Sequence, residues 1–142
     1  MRCGEGWDVW GMKYTMMGLL HYVDVESSGL GVESYELSDK GTRALEAAKK
    51  LCDYVIAEIG PNGKRGRELW QTGNWSGYAS SSILEPVIWL YRRVAAKDGA
   101  DDAKKYLDFA AYIVEGMTKP EKGPRLLDLA LKGEQLYNHF LL

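Results

Sequence analysis

The stretch from Gly66 to Tyr78 reads Gly-Arg-Glu-Leu-Trp-Gln-Thr-Gly-Asn-Trp-Ser-Gly-Tyr and is unusually rich in residues able to recognise a small polar molecule. Trp70, Trp75 and Tyr78 stand among Arg67, Glu68, Gln71 and Asn74, with glycines between them. Sugars present apolar C–H faces ringed by hydroxyls. A sugar site therefore calls for aromatic platforms beside carboxylates, amides and guanidinium groups, the mixture of apolar lining and a few polar groups that pockets use in general. The plainer reading is that these aromatics pin a long loop to the body of the protein. A second cluster, Trp7-Asp8-Val9-Trp10-Gly11-Met12-Lys13-Tyr14, leads into an apolar helix. Trp7 and Trp10 share a helix face, and Asp8 and Lys13 can reach toward the same mouth. The plainer reading makes both tryptophans core and Asp8 an N-terminal helix charge.

Glu68 and Glu85 are the candidate carboxylates for acid–base chemistry. A carboxyl held in apolar surroundings keeps its proton to higher pH and can serve as a general acid. For Glu85 the local pattern favours another role, because Ser82-Ile83-Leu84-Glu85 has the form of a capping box and Pro86 is tolerated in a first turn. Ser80, Ser81 and Ser82 have no histidine base close in sequence and no elbow motif. They read as cap and rim hydrogen bonders, with Ser81 among the candidate sugar contacts. His21 lies among apolar residues and reads as a satisfied core histidine. Cys3 and Cys52, the only cysteines, make neither a disulfide framework nor a four-ligand zinc site. Cys52 falls on the apolar stripe of a helix, as a small buried hydrophobe does.

The elements that must position these residues are helices of two kinds. Tyr14 to Val23 carries no charged side chain, and Ile83 to Tyr91 carries only Glu85, so both read as inner helices buried on all sides. Ala44 to Ile59 is amphipathic, with Leu45, Ala48, Cys52, Val55 and Ile59 on one face and Glu46, Lys49, Lys50 and Asp53 on the other. Ala103 to Met117 repeats the pattern with Leu107, Ala110, Ala111, Val114 and Met117 inward and Lys104, Lys105 and Asp108 outward. The order inner, outer, inner, outer is an internal repeat. Tyr22 and Tyr91 end corresponding inner helices 69 residues apart, and Leu45 and Leu107 hold matching outer positions 62 apart. Such repeats close a core only in several copies, so two of them leave their inner helices half covered. The expectation is an all-α chain of two to three helical hairpins. Residues 1–142 form one domain that is itself a segment of a larger helical assembly.

The connections fit this plan. Val25 to Leu37 and Ala95 to Asp101 hold turn-forming clusters. Ser38 or Asp39 caps the first outer helix and Asp101 or Asp102 the second. Gly60-Pro61-Asn62-Gly63 stops the first outer helix. Thr118 to Gly123 is a loop, and Pro124 opens a shorter helix through about Leu131. Glu134 to Leu142 shows no periodicity. Eighteen Lys and Arg against twenty Asp and Glu leave a net charge of −2, which gives no electrostatic footprint for nucleic acid or an anionic membrane. No apolar run approaches the ~20 residues of a membrane span, and no basic-then-apolar leader opens the chain. The compartment stays unassigned.

Four segments then carry a resemblance. Trp-Asp-Val-Trp-Gly-Met-Lys-Tyr-Thr-Met-Met-Gly-Leu-Leu-His-Tyr is followed in order by Ala-Leu-Glu-Ala-Ala-Lys-Lys-Leu-Cys-Asp-Tyr-Val, Ser-Ser-Ser-Ile-Leu-Glu-Pro-Val-Ile-Trp-Leu-Tyr-Arg and Lys-Tyr-Leu-Asp-Phe-Ala. Their order and spacing, from about Trp7 to Leu131, resemble the β-L-arabinofuranosidase family (glycoside hydrolase family 127), apart from an unusual stretch at Glu26 to Glu36. The resemblance implies a partial (α/α)6 toroid of the six-hairpin glycosidases and a carbohydrate partner, an L-arabinofuranoside-like end of a plant-type glycan. The better-studied relatives use a zinc-bound cysteine nucleophile and a glutamate acid/base from a cysteine-rich motif in the second half of the toroid. Neither Cys3 nor Cys52 matches that motif, so no metal and no cofactor is expected in this segment and hydrolysis by it alone is not. Trp7 and Asp8 stand where many relatives carry a His-Glu pair, and Ser80 to Ser82 where some carry a histidine. On this reading Trp7, Trp10, Trp70 and Trp75 stack on or fence the sugar, while Asp8, Lys13, Glu68 and Ser81 hydrogen-bond it. The competing reading is a non-catalytic helical repeat module that self-associates as a homo-oligomer through its open inner helices. In either case the inner helices need a neighbour, a second copy or the remainder of the toroid.

Overall fold

The computed structural model describes residues 3–28, 37–74, 77–119 and 126–134. Among them every regular element is helical: α1 (Asp8–Ser28), α2 (Asp39–Ile59), a 3-10 turn (Leu69–Gln71), α3 (Tyr78–Ser81), α4 (Leu84–Asp98), α5 (Ala100–Thr118) and α6 (Leu126–Lys132). The chain is all-α and built from helical hairpins. α1 pairs with α2 and α4 with α5, and the two hairpins lie side by side with α1 against α4. Contacts between α1 and α4 keep the same order along both helices, Lys13 with Glu85, His21 with Trp89 and Asp24 with Arg93. The inner helices are therefore parallel, and the residues that meet are offset by about the repeat length seen in the sequence. An ion pair from Lys105 to Asp53 at 2.7 Å joins the outer helices α2 and α5.

The α2 stripe is buried as its spacing requires, with Leu45, Ala48, Cys52, Val55 and Ile59 all at 1% exposure or less. Each large aliphatic member contributes roughly 1.5–3 kcal/mol by leaving water. Ser38 caps α2, its Oγ accepting the Gly41 N–H at 3.1 Å, and its hydroxyl donates to the Glu26 carboxylate at the end of α1. That bond from Ser38, followed by one from Tyr22, holds the Glu26 carboxyl below the usual carboxylate range. Gly60 ends α2 at the expected place.

Several expectations are corrected. On α5 the buried residues are Ala103, Tyr106, Phe109, Ala110, Ile113, Gly116 and Met117, whereas Leu107 and Val114 are 42% and 45% exposed. Two apolar stripes of helical spacing run along this helix, and the bulkier one, with Tyr106, Phe109 and Ile113, turns inward. α1 continues through Val25 to Ser28, and α4 runs through Ala95 to Asp98, so the second connection shrinks to Gly99 alone. Gly99, at φ +104°, ends α4 and begins α5, which leaves Asp101 and Asp102 inside the first turn as favourable charges and not as caps. Neither inner helix is covered on all sides. On α1, Val9, Met12, Lys13, Met16, Leu20 and Val23 are buried, while Trp7, Tyr14 and Tyr22 are 40–43% exposed along the opposite side. α6 spans Leu126–Lys132, and Pro124 and Gln135 to Leu142 lie outside the described residues.

Candidate functional site

The N-terminal ends of α1 and α4, the segment before α1, the loop after α2 and the single turn α3 meet at one end of the molecule. Asp8 shapes the approach. Its Oδ1 accepts the N–H of Gly4 at 3.1 Å and of Val9 at 2.6 Å, and its Oδ2 accepts the N–H of Glu5 at 3.1 Å, which folds the lead-in back over the helix start. The Gly4 carbonyl then accepts the Gly73 N–H at 3.2 Å and the Arg67 guanidinium at 3.3 Å. The loop from Gly66 and the entrance to α1 are stitched together by these bonds.

Trp70 is the loop's anchor. It is 8% exposed, its ring lies 5.1 Å from that of Tyr112, and a Cβ on Gly116 would stand 2.0 Å from it. The Tyr112 hydroxyl donates to Glu68 Oε2 at 2.7 Å and accepts the Leu69 N–H at 3.0 Å. Burial, reinforced by the Glu68 carboxylate, pushes the Tyr112 phenol well above its ordinary range. Glu68 and Trp70 thus fasten the loop to α5, the plainer of the two readings of that loop. Trp75 lies outside the described residues.

Ser80, Ser81 and Ser82 are buried instead of rimming the mouth. Ser82 Oγ donates to the Ala79 carbonyl at 2.7 Å, and Ser81 Oγ has no partner among the described residues. No capping box forms at Glu85. Pro86 has no N–H to continue a helix from α3, so α4 restarts at Leu84 behind Ile83. Glu85 Oε2 instead approaches Lys13 Nζ at 3.7 Å. The Lys13 side chain is 3% exposed and that of Glu85 44%, so a buried ammonium is answered by a carboxylate at the surface. Lys13 also stands 5.2 Å from the Tyr14 ring centroid.

Beside this pair rises an aromatic wall. Trp7 meets Trp10 edge to face at 5.3 Å, and Trp10 meets Tyr14 in the same manner at 4.6 Å. Trp7 and Tyr14 keep over two fifths of their surface in solvent. Of the candidate residues, then, Trp7, Trp10 and Glu85 come together at an accessible surface with Tyr14, while Lys13 is buried beside Glu85. Asp8, Glu68 and Trp70 hold the frame behind it, and Ser81 is buried there. The arrangement offers ring faces and edges for an apolar surface and one carboxylate for hydroxyls.

The chain matches no family model, no curated protein and no solved structure. Among the described residues no group of three or more His, Cys, Asp or Glu is placed to hold a metal ion, and no helix is long and apolar enough to cross a membrane.

A second recess escaped the sequence reading. His21 is exposed, contrary to the core role expected of it, and meets the Trp89 ring edge to face at 5.0 Å. With Leu20, Asp24, Arg92, Arg93 and Ala96 these rings line a groove of about 310 Å³ between α1 and α4. Arg93 pairs with Asp24 across it. The available signal was the seven-residue spacing of Trp7, Tyr14 and His21, which puts all three on one helix face.

Proposed function

We propose that this chain is a sugar-binding segment of a glycoside hydrolase of the (α/α)6 toroid kind, acting on L-arabinofuranoside-like ends of plant-type glycans. The observation that carries the reading is the solvent-facing Trp7–Trp10–Tyr14 wall beside the Lys13–Glu85 pair, at the mouth of two parallel inner helices. Parallel inner helices backed by outer ones are what successive hairpins of such a toroid require, and the wall supplies the stacking surface a sugar ring needs. The 142-residue chain should not hydrolyse an aryl arabinofuranoside, because a nucleophile and an acid/base partner flanking one bond are both needed.

The test is calorimetric titration with arabino-oligosaccharides. Saturable binding that Trp10→Ala abolishes while the helical signal is kept is the expected result. Heats at the dilution level for the intact chain would end the sugar-binding reading.

A second reading, self-association, draws on the Trp7, Tyr14, Tyr22 and Val25 side of α1, where Val25 is 67% exposed. Surfaces of this kind find partners. Light scattering that gives one monomeric mass at all concentrations would dismiss it.

A further inference from the structure

We propose that the groove between α1 and α4 binds a sugar bearing a carboxylate, with Arg92 taking the carboxylate and Trp89 the apolar face of the ring. Two guanidinium groups line the groove, and they are not equivalent. Arg93 is neutralised by Asp24, whereas Arg92 is exposed and has no carboxylate partner among the described residues. The groove therefore keeps one positive charge in excess. A guanidinium presents its donors as a planar fork that matches a carboxylate with two parallel hydrogen bonds.

The excess charge alone would suit any small anion, and the aromatic side of the groove decides between them. Trp89 is partly buried and held edge to face by His21 at 5.0 Å, with Leu20 and Ala96 completing an apolar flank. Inorganic phosphate has no surface to set against that flank, and a neutral sugar leaves the guanidinium unused. A uronic acid has both features on one ring. The volume, about 310 Å³, lies at the lower end of the range for small-ligand sites, roughly 300–1,000 Å³, and suits one such residue.

The inference does not rest on the reading of the aromatic mouth. His21 lies seven residues beyond Tyr14, about 10 Å farther along α1, and none of the groove residues belongs to the wall.

The experiment is a set of titrations on the full chain with glucuronate, galacturonate, glucose and inorganic phosphate, read by ligand-observed NMR and by the amide shifts of α4. Expected is saturable binding of at least one uronate, at least tenfold weaker in Arg92→Gln, with neither glucose nor phosphate competing at equal concentration. Arg92 is exposed, so Arg92→Gln should melt as the parent does. Arg92→Lys provides a second variant of the same charge and should recover only part of the affinity. Trp10→Ala, in the mouth, should leave uronate binding unchanged. Absence of uronate binding, equal binding of glucose or of phosphate, or uronate binding unchanged in Arg92→Gln would each overturn the proposal. Loss of binding in Trp10→Ala would also overturn it, by moving the ligand to the mouth.

Discussion

Replacing Gly116 by alanine tests the anchoring of the loop. In most helices Gly→Ala stabilises by up to about 1 kcal/mol, since alanine is the better helix former. At Gly116 the added methyl would stand 2.0 Å from Trp70 Cε3 and Cζ3 and 2.8 Å from Cη2. The ring has little room to retreat, because it is 8% exposed, Tyr112 stands beside it, and the Trp70 backbone lies against Gly77. Forcing a methyl into a packed site costs about 1–3 kcal/mol. The two effects oppose, and the net for Gly116→Ala is a destabilisation of about 0–2 kcal/mol, which leaves it about 1–3 kcal/mol less stable than a chain showing the propensity gain alone. Gly11→Ala supplies the control. Nothing lies within 4 Å of its added Cβ and its φ is ordinary, so it should show the propensity gain alone. Urea titrations followed by far-UV dichroism give both values, and Gly116→Ala should also shift tryptophan emission to the red as Trp70 meets water. A Gly116→Ala chain as stable as Gly11→Ala, with unshifted emission, would refute the packing of Trp70 on α5 and with it the assignment of that residue to the frame.

Glu85→Gln should destabilise by about 1–3 kcal/mol, because it leaves the buried Lys13 ammonium without its counter-charge. Lys13→Met in the same chain should restore most of that loss, and strict additivity in the double-mutant cycle would deny the pairing. Ser38→Ala should cost about 1 kcal/mol through loss of the α2 cap. The same hydroxyl holds Glu26 ionised, and a depressed folded-state pKa contributes stability that is present above the ordinary glutamate range and lost as pH falls through the folded value. Acid titrations of stability should therefore be flatter in Ser38→Ala than in the parent. Both thiols should resist alkylation until the chain unfolds, since burial, followed by the charge of Asp8, pushes Cys3 up to about 11 and burial raises Cys52 further. Rapid labelling of Cys52 in the folded chain would contradict its place on the α2 stripe.

The helical hairpins were legible in the sequence because their pattern is repeated and redundant. Five residues of α2 at spacings of three and four all point inward, so no single substitution could hide the face. α5 was harder, since it carries two apolar stripes one residue apart and only the volume to be filled chooses between them. Glu85 shows a different limit. A serine three residues before a glutamate is a local pattern, but Lys13, buried 72 positions earlier in the chain, draws the carboxylate away. The tryptophans divide for a similar reason. Trp70 is buried where Gly116, at the far end of α5, leaves space for its ring, whereas Trp7, packed against Trp10, keeps 43% of its surface in solvent. The groove at His21 was only half legible, since the seven-residue spacing marks the α1 face while Trp89, Arg92 and Arg93 join it only when two distant helices lie parallel.

The single residue between α4 and α5 has a bearing on how the chain assembles. Gly99 lets the two helices collide as soon as both exist, so that hairpin closes with almost no loop to order. Ten positions separate the end of α1 from the start of α2, and the contacts between α1 and α4 span about seventy residues. Local contacts form fastest. The second hairpin should then be the nucleus onto which the first condenses, and on a ribosome the earlier-made α1, with its bare aromatic side, must wait for α4 to emerge.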